Sequence, residues 1–160
     1  MNVKQKEKGF TIIEVVLVLA IAGLIFLMVF IALPALQRSQ RDSQRKGDLS
    51  RAQTALTNYS SVNRASVPKA NVNDLNSFTT NFLKAEGDSF ADPSGNDYVW
   101  NVTKNPGDTI DASFDADNPT IYYTLGAKCG TDGATTETAG SRIAAMQMKL
   151  EGGGVACVNN

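Results

Sequence analysis

An apolar segment near the amino terminus dominates this sequence and limits the folds open to it. Phe10 to Leu36 is 27 residues long and contains one charged side chain, Glu14. As an α-helix this segment would reach roughly 40 Å, whereas the hydrocarbon core of a bilayer is about 30 Å thick. The segment therefore predicts a membrane span.

The blocks on either side of this segment differ in charge. Residues 1–9 carry a net charge of +2, residues 37–51 carry +3, and residues 52–160 carry −5. This order predicts a short cytoplasmic tail, a membrane span and an exported region. Basic residues flank both ends of the span, so the charge rule does not set its orientation. The two cysteines and the large downstream region favour export of the carboxy-terminal part.

Two other interpretations of the amino terminus are weaker. A secretory signal cleaved near Ala20–Ala22 would leave Leu24 to Leu36 as an exposed apolar start of a soluble protein. An ordinary single-pass anchor, carrying a binding module, remains an alternative.

Composition argues against most catalytic and metal chemistry. The chain has no histidine, which excludes Ser-His-Asp and Cys-His nucleophile systems and metal sites that need imidazole. Two cysteines are too few for a structural zinc site. No nucleophile–base pair or phosphate-binding glycine motif stands out, so the sequence indicates neither an enzyme nor a cofactor.

Glu14 is the residue least expected in this segment. A carboxylate in an apolar span costs about 2.5–3.5 kcal/mol on insertion scales and is functional by default. Thr11 and Glu14 have the spacing of a capping box, in which the carboxylate accepts a backbone N–H at the helix start. No basic side chain lies between Phe10 and Leu36, but cleavage after Gly9 would create an α-amino group on Phe10. Capping and pairing with that amine are compatible.

The heptapeptide Lys8-Gly9-Phe10-Thr11-Ile12-Ile13-Glu14 and the following apolar run resemble the amino-terminal signature of type IV pilins and related pseudopilins. The resemblance implies that a prepilin peptidase cuts after Gly9 and that Phe10 becomes N-methylated. It also implies that Glu14 contacts the amino terminus of a neighbouring copy in a helical filament. A membrane assembly machine and, before assembly, membrane lipid are the other implied partners.

The same resemblance implies a location and a break in the helix. The subunit would cross the inner membrane once, with its short amino-terminal tail in the cytoplasm, and later reach the cell surface in a pilus. In related filaments a stretch from Gly to Pro loses helical order. Gly23 and Pro34 are the matching residues, and Pro34 cannot donate a hydrogen bond to the carbonyl of Phe30, so we expect a kink or local melting there.

Residues 37–60 predict an amphipathic continuation of the helix. One stripe, spaced i, i+3, i+7, i+10, is expected to pack on a head: Leu49, Ala52, Leu56 and Tyr59. Four polar positions are expected to face outward: Arg41, Arg45, Asp48 and Gln53. The basic residues can contact anionic lipid headgroups, the acidic surface of neighbouring heads, or only water.

Residues 61–160 predict a small head. Asp74 is expected to cap a short helix ended by Gly87, and strands are expected near 98–102, 120–125, 142–150 and 155–158, in an antiparallel sheet. The sequence from Asp92 to Tyr98, Asp-Pro-Ser-Gly-Asn-Asp-Tyr, predicts a type I turn and resembles the turn before the sheet in major pseudopilins and some pilins. The charge of −5 argues against nucleic acid as a partner of the head.

Two smaller features of the head bear on its stability. A disulfide between Cys129 and Cys157 would contribute about 3–4 kcal/mol through loop entropy, and two reduced, buried cysteines are the alternative. Related pilins often have such a bond near the carboxyl end. Asp111, Asp115 and Asp117 are weak calcium candidates because major pseudopilins bind calcium in their heads, but their spacing matches no calcium-loop signature and a solvated acidic loop is the simpler interpretation.

Together these patterns predict an α+β protein. A long amino-terminal helix, membrane-spanning and then amphipathic, would pack on a small antiparallel head with one disulfide. The predicted regions are a leader (1–9), a membrane or filament-core helix (10–36), an amphipathic helix (37–60) and a head (61–160). The predicted function is a structural subunit, major or minor, of a type IV pilus used for adhesion, motility or DNA uptake, with a secretion pseudopilin or an anchored binding module as alternatives.

Overall fold

The computed structural model describes residues 9–102, 105–110 and 113–160. Contacts within the chain divide it into two units, Met1–Gln37 and Arg38–Asn160. Helix α1, Ile12–Val62, begins in the first unit and ends in the second. The predicted long helix is therefore confirmed, and the predicted α+β fold with it.

Helix α1 contains no break at Gly23 or Pro34, which differs from the local melting expected there. Proline removes one backbone donor, and the residues around it, Ala-Leu-Pro-Ala-Leu, are otherwise good helix formers. One missing hydrogen bond is a small loss for a helix of 51 residues. In this single chain the helix therefore remains continuous.

The first unit exposes its apolar surface. Every described residue from Gly9 to Leu36 is exposed except Ala22, which is half-buried. Apolar side chains on all sides of a helix are typical of a helix surrounded by lipid or by other helices.

The second unit is built on a four-stranded sheet with the order β1-β2-β5-β6. The strands of the head are β1 (Val99–Asn101), β2 (Thr120–Leu125), β3 (Ala127–Cys129), β4 (Thr136–Thr138), β5 (Ala144–Lys149) and β6 (Val155–Asn159). The β2–β5 and β5–β6 pairs are antiparallel, as predicted. Strand β1 pairs with β2 in parallel, because the chain returns from β1 by a long connection rather than by a hairpin. Strands β3 and β4 form a separate hairpin that the sequence did not predict.

One face of α1 packs on this sheet, as the predicted stripe requires. Leu49, Ala52 and Leu56 are fully buried, and Tyr59 packs edge-on against Phe78 at a ring distance of 5.9 Å. From the sheet, alternate residues of β2 and β5 complete the core: Ile121, Tyr123, Met146 and Met148. The two methionines are thus core residues.

The second helix, α2 (Val72–Phe78), starts earlier than predicted. Its N-cap is Asn71, whose side-chain oxygen accepts a hydrogen bond from the Asp74 backbone N–H at 2.8 Å. The prediction of Asp74 as the cap is therefore wrong, because Asn71 already satisfies that N–H and Asp74 lies within the first turn. Beyond α2 a π-helical turn and a 3-10 turn lead to Gly87, which ends the segment with a positive φ of 86°.

The prediction that four polar side chains of α1 face outward is wrong, because each of them contacts the head. Arg45 is 1% exposed, and Arg41 contacts Glu151. Asp48 accepts a hydrogen bond from the Tyr98 hydroxyl at 3.0 Å, and Gln53 donates one to the Asn159 carbonyl at 2.8 Å. These side chains turn inward because the head supplies partners for their charges and amides.

Candidate functional site

The start of α1 brings the predicted processing and assembly residues together. Gly9 and Phe10 lie just before the helix, and Phe10 is 89% exposed. Phe10 and Glu14 line one shallow apolar groove of about 320 Å³ with Val15, Val18 and Leu19. The bond between Gly9 and Phe10 therefore lies outside the helix, and the Phe10 residue shares a groove with Glu14.

Glu14 has a local structural role at this helix start. The backbone N–H of Thr11 donates to Glu14 Oε2 at 2.9 Å, and the Thr11 hydroxyl donates to the same oxygen at 2.7 Å. Thr11 directly precedes the first helical residue, so its N–H has no partner within the helix. The carboxylate thus satisfies an unpaired donor at the positive end of the helix dipole.

The second unit contains an ion cluster that we call the Arg45 cluster: Arg41, Asp42, Arg45, Asp92 and Glu151. Arg45 donates to both oxygens of Asp92, from Nε at 2.6 Å and from Nη2 at 3.0 Å. Its Nη1 donates to Asp42 at 2.9 Å and to Glu151 at 3.1 Å. Arg41 binds Glu151 through two hydrogen bonds of 2.8 and 2.6 Å. The cluster joins α1 to two turns that are distant in sequence.

Backbone donors complete the cluster at both turns. Asp42 accepts hydrogen bonds from the backbone N–H groups of Glu151 and Gly152, at 2.9 and 2.7 Å, in the turn between β5 and β6. Asp92 accepts one from the backbone of Ser94 at 2.9 Å, in the turn that the Asp-Pro-Ser-Gly sequence predicts. Each turn is thus anchored to α1 by a carboxylate.

The ionised state of the cluster follows from these contacts. Burial alone would lower the pKa of Arg45, but its hydrogen bonds to Asp92, Asp42 and Glu151 outweigh burial and raise it. Burial alone would raise the pKa of Asp92, but the hydrogen bonds from Arg45 and Ser94 hold it below its ordinary value. The hydrogen bonds from Arg41 are the main reason that the pKa of Glu151 falls to about 2. The contacts therefore favour the charged forms of Arg45, Asp92 and Glu151.

The cluster is suited to holding structure and not to moving protons. An arginine does not release its proton in proteins, and the contacts of the cluster lower the pKa values of Asp92 and Glu151. The guanidinium of Arg45 also stacks on Phe114, with 4.0 Å between Cζ and the ring centroid. The carboxylates thus contact the edges of the planar Arg45 guanidinium, and the aromatic ring contacts its face.

The disulfide predicted between Cys129 and Cys157 is present, with the two Cα atoms 5.8 Å apart. It joins β3 to β6. The backbone N–H of Cys129 also donates to the Asn159 side chain at 3.0 Å. The bond thus fixes the β3–β4 hairpin to the edge strand of the sheet.

The calcium candidates do not come together in the described residues. Asp115 accepts hydrogen bonds from the Asp117 backbone at 2.9 Å and from the Asn118 side chain at 3.3 Å, so it stabilises its own loop. Asp111 lies outside the described residues. Within the described ranges, no group of three or more acidic or cysteine side chains is placed to hold a metal ion.

Sequence reasoning missed the acidic partners of Arg45, although one signal was available. Asp42 and Arg45 continue the buried stripe of α1 toward the amino terminus, since 42, 45, 49, 52 and 56 follow each other at spacings of three and four. A charged pair on the buried face of a helix requires partners in the core. That periodicity predicts an inward Arg45 but does not name Asp92 or Glu151.

Comparison with known families identifies the amino-terminal region. Residues 4–30 match the family described as the prokaryotic N-terminal methylation motif. This motif is the signal of type IV pilins and pseudopilins, so the resemblance seen in the sequence is confirmed. No curated protein and no solved structure matches the chain. In the described part of the chain, α1 has the length and composition needed to cross a membrane.

Proposed function

We propose that this chain is a structural subunit, major or minor, of a type IV pilus. One observation carries the proposal: the methylation motif of residues 4–30 continues directly into a helix that exposes apolar side chains on every side. The membrane would hold the subunit through residues 10–36 until a prepilin peptidase removes residues 1–9. An assembly machine would then move it into a helical surface filament that serves adhesion, motility or DNA uptake.

Packing between apolar helices explains why such a subunit polymerises. The side chains of residues 10–36 are exposed within their own unit, with the half-buried Ala22 as the exception. Helices that leave lipid gain stability only by close packing and by satisfied polar contacts, since lipid is as apolar as they are. The same segments of neighbouring copies provide that packing. In the filament, Gly23 and Pro34 are the positions at which we propose that α1 loses helical order.

Glu14 supplies the specific contact in this proposal. Its carboxylate accepts only hydrogen bonds from Thr11 in the described structure, and these do not neutralise its charge. Cleavage after Gly9 would create an amine on Phe10, which is methylated and remains basic. An amine of a neighbouring copy would pair with Glu14 and set the register between copies.

Two substitutions separate the pairing role from the capping role. Glu14→Gln keeps an oxygen that accepts from Thr11 but loses the charge, whereas Glu14→Val loses both. We expect both variants to enter the membrane and be cleaved, and both to give far fewer filaments than the wild type. Normal filament yield from Glu14→Gln, with subunit levels matched by immunoblot, would refute the charge pairing.

A secretion-system pseudopilin is the second candidate, because it would share the leader, the helix and the turn at Asp92. The Asp-Pro-Ser-Gly turn forms as predicted, and Tyr98 at the end of the motif donates a hydrogen bond to Asp48 of α1. A pseudopilin would form short periplasmic fibres, and calcium would raise the thermal stability of its head. Long surface fibres that contain this chain would exclude that candidate. A membrane-anchored binding module would retain residues 1–9.

A further inference from the structure

The segment that follows the apolar run is strongly basic in sequence but not in the folded head. Arg38, Arg41, Arg45 and Lys46 lie within ten residues of Leu36, against one acidic residue, Asp42. In an unfolded chain such a segment attracts acidic lipid headgroups, at about fivefold enrichment for each Lys or Arg near the surface.

Folding brings two distant carboxylates to this segment. Asp92 reaches Arg45 from 47 residues along the chain, and Glu151 reaches Arg41 and Arg45 from more than 100 residues along it. Glu151 also lies 3.8 Å from Arg38. Three guanidinium groups then face three carboxylates, counting Asp42.

Burial and hydrogen bonding also keep Arg45 and Arg41 from contacting lipid headgroups. The Arg45 side chain is fully buried, so no headgroup can reach it. Both oxygens of Glu151 accept hydrogen bonds from Arg41, which fixes that guanidinium on the protein. Lys46 and Arg38 stay exposed. Folding therefore removes about half of the basic groups that an acidic membrane surface could bind.

We propose that folding of the head switches off a lipid-binding segment at residues 38–46, with Glu151 as the main switch residue and anionic phospholipid as the ligand. The inference rests on the proposed storage of the subunit in a membrane. Before the head folds, acidic headgroups hold the segment at the bilayer surface. After folding, Glu151 and Asp92 replace the headgroups at Arg41 and Arg45, so that only Arg38 and Lys46 of this segment still attract acidic lipid and the subunit leaves the membrane more easily.

The experiment measures which lipids surround the segment. The full-length chain carries Ser43→Cys at an exposed position, and a donor dye is attached to the new thiol. Cys129 and Cys157 do not take up the dye because they form the disulfide. The labelled chain is reconstituted in phosphatidylcholine vesicles with a minor fraction of phosphatidylglycerol. Energy transfer to headgroup-labelled phosphatidylglycerol, divided by transfer to labelled phosphatidylcholine, gives the enrichment of anionic lipid.

Glu151→Gln is the test variant, and Glu137→Gln is its matched control. Glu137 is exposed and forms an ion pair with Lys128 at 3.4 Å, away from residues 38–46, so its substitution changes net charge without freeing the segment. We expect about fivefold higher enrichment for Glu151→Gln than for the wild type, which is the effect of one released arginine. High salt should remove the gain, and so should Arg41→Gln in the Glu151→Gln background. The control should stay at the wild-type value.

Three results would overturn the proposal. The first is no gain for a folded Glu151→Gln chain, and the second is an equal gain for Glu137→Gln. The third is clustering of Glu151→Gln in pure phosphatidylcholine, which would identify acidic protein surface as the partner. If the variant does not fold, urea unfolding of the wild type replaces it. The enrichment of anionic lipid must then rise when the head unfolds, and it must rise less in the double variant Arg41→Gln/Arg45→Gln. No arm requires cleavage or filaments, so failure here is distinguishable from failure of the proposed function.

Discussion

Replacing Arg45 by methionine tests the energetic role of the cluster. Methionine keeps a long side chain and a good helix former in α1, but it leaves Asp92 buried with hydrogen bonds from Ser94 and without its arginine partner. Both side chains of the Arg45–Asp92 pair are fully buried. Removing one partner of a buried ion pair costs about 3–5 kcal/mol, because the remaining charge is not compensated. For a head of this size that loss lowers the melting temperature by about 10–20 °C.

The assay is urea or thermal unfolding of the oxidised chain in mild detergent, followed by the fluorescence of Trp100. This residue is the only tryptophan, and it lies in the core of the head. Arg142→Met, at an exposed position, is the control and should change stability by less than about 0.5 kcal/mol.

A second substitution distinguishes an uncompensated charge from simple loss of packing. In Arg45→Met/Asp92→Asn the buried charge is gone, and the amide oxygen of the new residue can still accept from Ser94. The double variant should therefore be more stable than Arg45→Met alone. The single variant should also gain stability as pH falls from 7 toward 5, because its Asp92 would have a raised pKa and would take up a proton on folding. A cost below about 1 kcal/mol for Arg45→Met, or additive costs in the double variant, would refute the reasoning.

Three further predictions concern the head. Gly152→Ala should cost about 1–3 kcal/mol, because a Cβ there would lie 2.9 Å from the Asp42 carboxylate, whereas Gly140→Ala, with open space, should change the urea midpoint little. The pKa of Glu151 is about 2, against an ordinary 4.5, so its contribution to stability should be complete above about pH 5 and lost as pH falls from 4.5 toward 2. Urea midpoints that stay constant across that range would contradict this prediction. Reducing the disulfide, which spans 28 residues, should lower the free energy of unfolding by about 3–4 kcal/mol, measured with and without dithiothreitol.

Local pattern was enough to predict much of the fold. The apolar run and the stripe from Leu49 to Tyr59 predicted α1 and the face that it buries. Residue type predicted a strand at Thr120–Leu125, alternation predicted one within residues 142–150, and two cysteines predicted the disulfide. In each case the information lies within one segment, because periodicity and residue type decide which side is buried.

Long-range partners were beyond such reasoning. The inward position of Arg45 depends on Asp92 and Glu151, which only the complete fold brings to α1. The β3–β4 hairpin consists of two three-residue strands, too short for a readable alternation. The parallel pairing of β1 depends on the path of a connection, not on the strand's own residues. The continuity of α1 at Pro34 shows that one lost donor does not by itself end a long helix.

The mass of the chain isolated from cell membranes shows directly whether residues 1–9 are removed. We expect a chain that begins at Phe10, nine residues shorter than the sequence given, with one methyl group added to its terminal nitrogen. Finding residues 1–9 still attached, in cells whose prepilin peptidase is active on a known substrate, would contradict it. Glu14 would then have no terminal amine to meet.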